Sequence, residues 1–201
     1  KANLAWCQFG TGAEHEVGGA TLDDTLDFVR EWHGAAQGRI RCVLGPHSPY
    51  MCPPAFLRRV VEAAHDLGVG IHLHVAESQE QVDKSLAAHG QTPVAHLVDL
   101  GVLDAALPAP AIAAHCLVLS EADVALLAGQ QVCVAHTPKT YLKLAMAMAP
   151  LPRMLEGGVQ VALGTDGPAS NSDLNMHEGL RLAGLYHKQA VGDPQVLPRT
   201  Q

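Results

Sequence analysis

Short apolar runs alternate with longer stretches of helical period along nearly the whole chain, and this alternation constrains the fold more than any other feature. The runs fall at about 2 to 7 (ANLAWC), 39 to 44 (RIRCVL), 69 to 75 (VGIHLHV), 111 to 115 (AIAAH), 131 to 135 (QVCVA) and 158 to 163 (GVQVAL). Each has the length of a strand. Between them apolar residues recur at helical spacing, as with Leu22, Leu26 and Val29 from about residue 21, and Leu57, Val60, Val61 and Ala64 from about residue 53. Helix starts are also written in: Ser78 with Gln81 reads as a capping box, Thr92 precedes Pro93, and Ser120 is followed by Asp123. Repeated βα units predict a parallel sheet, either a barrel or a doubly wound sheet. A doubly wound nucleotide fold should show a glycine-rich phosphate turn after the first strand, but FGTGAEHEVGG at 9 to 19 holds only a loose GxG.

At 201 residues, with 48% hydrophobic and 16% charged residues, the chain can bury one sizeable core. A net charge of −7 without a Lys/Arg run argues against a nucleic-acid partner. Apolar runs such as AIAAHCLVL fall short of the roughly 20 residues of a membrane span, and no cleavable leader pattern opens the chain, so a cytoplasmic protein is expected. The five cysteines show no CxxC spacing and read as reduced core thiols.

Twelve histidines are more than a chain of this length usually carries. The last five predicted strands each run out at a residue that can bind metal or move protons: His47, His74, His115, His136 and Asp166. In parallel βα folds the C-terminal strand ends share one face, and in barrels that face carries the active site. Four imidazoles and a carboxylate there suit a borderline divalent ion such as Zn²⁺ and a metal-activated water. Glu77 lies three residues beyond His74, on the loop over that face, within reach of such a water. His72 shares the His74 face two residues deeper and reads as a barrel-interior residue. Asp166 lies between Gly164 and Gly167, where backbone and substrate can approach closely.

PHSPY at 46 to 50, HVAES at 74 to 78, AAHC at 113 to 116 and VALGTDGPASNSDLNM at 161 to 176 resemble the amidohydrolase superfamily. The group they are most similar to holds the methylthioadenosine/S-adenosylhomocysteine deaminases and the triazine chlorohydrolases. The resemblance implies an α/β fold of the (β/α)8 TIM-barrel kind. It also implies one Zn²⁺, or alternatively Fe²⁺, per active site and a small heterocyclic substrate. The implied activity is hydrolytic deamination of an amino-substituted, purine-like N-heterocycle. Alternatives are a dechlorinating or cyclic-amide-hydrolysing relative, or a catalytically inactive fragment or binding domain of the same fold. By the same resemblance His74 and Asp166 are metal ligands, and Asp166 also accepts a proton. Glu77 protonates the ring nitrogen and touches substrate, His115 orients the attacking water or the developing oxyanion, and His47 and Ser170 contact substrate. His136 heads the strand-seven motif, which binds no metal in the family.

Three departures from the family pattern bear on what to expect. The strand-seven motif reads HTPKTYLKLAMAMAP, where the deaminases show Asn after the His, then Ser-Asn and a later Gly, which puts adenosine-type specificity in question. The HxH pair of the family's first strand is absent, and so is the flanking small β-domain. Residues 1 to 201 are therefore expected to form a partial barrel of about six βα units, strands three to eight, of a protein about twice as long. Its first and last strands should each present an unpaired edge, and a homo-oligomer is compatible with that.

Overall fold

The computed structural model describes residues 1–12 and 18–197, so part of the GxG segment at 9 to 19 lies outside the described residues. The elements run β1 (Ala2–Gln8), α1 (Leu22–Trp32), α2 (Ala35–Gly38), β2 (Ile40–Pro46), α3 (Pro54–Leu67), β3 (His72–Val75), α4 (Gln79–His89) and α5 (Pro93–Asp99). They continue as β4 (Ile112–His115), α6 (Glu121–Gly129), β5 (Cys133–His136), α7 (Pro138–Lys143), α8 (Leu151–Glu156), β6 (Gln160–Leu163), α9 (Pro168–Asn171) and α10 (Met176–Val191). Each strand lies within a few residues of the apolar run that predicted it.

Every strand pair is parallel and the order is sequential: β1 on β2, then β3, β4, β5 and β6 side by side. A parallel bridge from Leu44 to Ile71 joins the two sets. An unbroken sequential order belongs to a barrel wall, whereas a doubly wound sheet reverses at a switch point. Among the described residues β1 pairs only with β2, and β6 only with β5, so each leaves one edge unpaired.

The period of two decides which face each strand residue takes. Ile71, Leu73 and Val75 are buried in the single apolar core with Leu57, Val60 and Ala64 of α3, while His72 and His74 lie half-buried on the opposite face. Register then puts His74, Ala114, Ala135 and Ala162 side by side across β3 to β6. Three alanines beside one imidazole leave room in front of it.

Helix starts follow the sequence with one exception. Thr92 caps α5 by accepting from the Ala95 amide, and Ser120 with Asp123 forms a complete capping box at α6. At α4 the Ser78 hydroxyl accepts from the Gln81 amide, but the Gln81 side chain takes the amide of Glu77 at 2.8 Å instead of the cap residue's own. The reciprocal bond of the expected box is thus displaced by one residue, and it anchors the backbone of Glu77.

Asp123 is buried and accepts hydrogen bonds from the Ser120 amide (2.8 Å), the Ser120 hydroxyl (2.7 Å) and the Thr92 hydroxyl, tying the starts of α5 and α6 together. Asp123→Ala is expected to destabilise the protein by about 2 kcal/mol, because a cap and a charged buried acceptor are lost at once. Urea unfolding measures this, and a loss within about 0.5 kcal/mol, ordinary for a surface change, would show that the network adds nothing.

Cys42, Cys52 and Cys116 are buried, and no disulfide forms among the described residues. None of the described helices is long and apolar enough to cross a membrane.

Candidate active site

The strand ends deliver a row of rings. Phe9, just past β1, stacks on His47 at 5.1 Å between centroids, His47 lies 4.5 Å from His74, and His74 stacks on His115 at 5.4 Å. Three of the four strand-end histidines therefore stand together at the C-terminal ends of β2, β3 and β4. His136 does not join them, which corrects the expectation of four imidazoles on one surface. It pairs in register with Leu163 and is fully buried, lying 5.3 Å from the Tyr141 ring and 5.7 Å from His187 of α10.

Alternation would also send His115 to the helix side, since its register partner is the buried Val75. Its backbone is instead left-handed, φ 74°, followed by Cys116 at φ 52°, and the ring lies against His74. Ala76 (φ 48°) and Asp166 (φ 63°) leave β3 and β6 in the same way. Non-glycine residues in this region cost on the order of 1 kcal/mol or more each and concentrate where function holds a geometry.

Around His115 the expected residues meet. Its Nε2 lies 3.7 Å from Glu77 Oε1, and its Nδ1 lies 3.4 Å from the Thr137 hydroxyl. Burial lowers the pKa of His115, Glu77 opposes that shift, His74 adds to it, and Asp166 opposes it. Glu77, His74 and Asp166 are thus all close enough to act electrostatically on one ring. Burial and then His74 hold His47 down at about 4, against the pull of Glu77. His72 is lowered by burial, with His74 and His115 adding to the shift, as suits an interior residue beneath the site.

The other oxygen of Glu77, Oε2, accepts a hydrogen bond from the Tyr50 hydroxyl at 3.1 Å. Tyr50 and Gln81 both hold Glu77, and sequence reasoning missed both. Tyr50 stood inside the quoted PHSPY motif, but nothing local to that motif shows that it reaches 27 residues along the chain. Asp166 Oδ1 accepts the Gly167 amide at 2.8 Å. Gly164 backs closely on Thr137, where an added Cβ would come within 3.1 Å of the threonine methyl, while Gly167 has open space. Ser170 lies one turn beyond Asp166 on α9 and reaches the imidazole row through no hydrogen bond among the described residues.

Whether the donor set suits a metal turns on His74. Its Nδ1 lies 2.7 Å from the carbonyl oxygen of His47, which can only accept, so Nδ1 is the donor in that bond and Nε2 is left for another partner. A carbonyl behind one ring nitrogen and a free second nitrogen is the arrangement of a metal-ligating histidine. Among the described residues no group of three or more His, Cys, Asp or Glu side chains could hold an ion by itself. A catalytic zinc site takes three protein ligands, more than His74 and Asp166 would supply between them.

Sequential parallel βα units, with His, Glu and Asp at their C-terminal ends, define part of a (β/α) barrel with a candidate catalytic cluster at its mouth. A model of the Amidohydrolase family matches residues 12–198, and the chain belongs to that family. It is 50% identical over 177 residues to a 5-methylthioadenosine/S-adenosylhomocysteine deaminase of Desulforudis audaxviator, a match covering 88% of this chain and 40% of the relative. Among solved structures it is similar to an adenosine deaminase of Xanthomonas campestris with bound zinc, with a TM-score of 0.83, 32% identity, and coverage of 98% of this chain and 43% of that one. It is also similar to an atrazine chlorohydrolase of Arthrobacter aurescens complexed with zinc, with a TM-score of 0.79, 26% identity, and coverage of 96% and 43%. The chain spans about two fifths of the length of these proteins.

Proposed function

We propose that this chain is the catalytic part of a metal-dependent aminohydrolase that removes the exocyclic amine of a purine-like heterocycle. The observation that carries this reading is the meeting of Glu77 and His74 with His115 at the ends of parallel strands, with Asp166 acting on the same ring electrostatically. The deaminases among its relatives support the choice of leaving group.

His74 and Asp166 would hold one Zn²⁺ or Fe²⁺. The further ligands would come from barrel strands that complete the unpaired edges of β1 and β6 in the whole protein. Such an ion, when bound, supplies a hydroxide nucleophile at neutral pH, since its water has a pKa near about 7. Glu77 donates a proton to the ring nitrogen next to the attacked carbon, so that the ring accepts the electron pair displaced by attack. His115, kept neutral by burial, donates a hydrogen bond to the oxygen that becomes the product carbonyl. Asp166 takes the proton of the attacking water and passes it to the departing amine. The C–N bond breaks as ammonia leaves, and one water has been consumed. His47 and Ser170 would line the substrate side. Thr137 and Lys139, where the deaminases carry a different motif, would bear on which heterocycle fits. A cytoplasmic location is the setting that this activity suggests.

The test is release of ammonia by the full-length, metal-loaded protein from a panel of adenosine, methylthioadenosine, S-adenosylhomocysteine, guanine and amino-triazines. Deamination of at least one purine-like member is expected. Turnover confined to chlorinated triazines, read as chloride release, or to cyclic amides would overturn the proposal.

A further inference from the structure

Glu77 is held at three points, and each hold does something different. Gln81 fixes its backbone through the 2.8 Å bond to its amide. His115 faces Oε1 at 3.7 Å, on the side of the imidazole row. Tyr50 donates to Oε2 at 3.1 Å from the far side, across 27 residues of sequence. A carboxylate with one oxygen taken by a fixed phenol can turn only its other oxygen toward a reacting group. The phenol is itself braced, because the Tyr50 ring packs edge-on against His47 at 5.7 Å, and His47 packs between Phe9 and His74. The pose of Glu77 is thereby tied to the same ring row that positions His74.

We propose that Tyr50 is a positioning residue for Glu77. It occupies Oε2 so that the proton is carried on Oε1, the oxygen facing His115 and the attacked ring. Tyr50 touches neither the reacting carbon nor the leaving group in this scheme and acts through Glu77. The proposal rests on the aminohydrolase reading above for its kinetic consequences, though not for its geometry.

Tyr50→Phe removes one hydroxyl and leaves the ring against His47. In the full-length metal-loaded enzyme kcat is expected to fall by about 10- to 100-fold, as for a misplaced reacting group. KM should stay within about 2-fold, since ground-state binding is untouched. Metal content and thermal midpoint should match wild type. In a Glu77→Gln background the same substitution should cost almost nothing more, because the residue through which it acts is already disabled. An equal loss in both backgrounds would overturn the proposal. If the wild-type protein deaminates nothing on the panel, the functional reading fails instead, and the geometry is judged by the crystal structure of the Tyr50→Phe protein. There the Glu77 carboxylate should leave its place beside His115, and an unmoved carboxylate would overturn the positioning role whatever the activity.

Discussion

Glu77→Gln in the full-length enzyme is expected to retain its metal while turnover falls by about 10² to 10⁴, the range that loss of a general acid produces. Glutamine keeps the length and planarity of the side chain, and its carbonyl oxygen can still accept the Tyr50 hydrogen bond. Its amide cannot give a proton to a ring nitrogen at neutral pH. The fold should be unaffected, because the backbone of residue 77 is anchored by its own amide to Gln81 and because the side chain is still about a quarter exposed. Elemental analysis alongside steady-state kinetics separates the roles. Metal retained with turnover lost supports proton transfer by Glu77, whereas metal lost together with turnover would make Glu77 a ligand.

Acid should destabilise the protein well before its carboxylates are protonated, and His136 is the main cause. It is fully buried, neither ring nitrogen has a hydrogen-bond partner among the described residues, and burial lowers its pKa to about 3, with His187 and His115 adding to the shift. In the unfolded chain the same imidazole takes a proton near about 6.5. Between those values the unfolded state binds the extra proton, so stability is complete above about pH 6.5 and is lost as pH falls toward 3. The slope is about 1.4 kcal/mol per pH unit, which makes about 2 kcal/mol from His136 alone between pH 7 and pH 5. His187, also buried and lowered by desolvation, adds to the same slope. Urea unfolding at the two pH values measures the loss. His136→Met, apolar and of similar volume, should flatten the dependence by close to one proton. An unchanged slope in that variant would mean that His136 is not the buried neutral group described.

Sequence reasoning reached the site through strand ends, and it succeeded where the relevant physics is local. His72 and His74 sit on the face opposite Leu73 and Val75 because a strand alternates strictly, so three consecutive positions suffice to place them. The caps at Thr92 and Ser120 involve residues three apart, which the chain brings together in any helix that starts there. The same logic failed at His136. A strand-end histidine was read as facing the barrel mouth, but pleating turned it toward α10 and left it beside Tyr141 and His187. Tyr50 was missed for the opposite reason. Its partner Glu77 lies on another βα unit, and only the packing of β2 against β3, seen in the Leu44–Ile71 bridge and the His47–His74 contact, brings the two loops together.

By itself the sequence determined the number and places of the six strands, the helix starts, the parallel βα class and the family, because periodicity, turn chemistry and motif identity are properties of short segments. Tertiary structure alone decided which strand-end side chains share a space. At β4 a left-handed residue, His115 at φ 74°, accompanies a ring that meets His74 although its register partner Val75 faces the core. At β5 His136 follows the pleat into the helix layer. The two strand ends read alike as AAH and VAH. Their difference lies in a backbone dihedral and in the neighbours that hold it, and those are set by the packing of elements far apart in the chain.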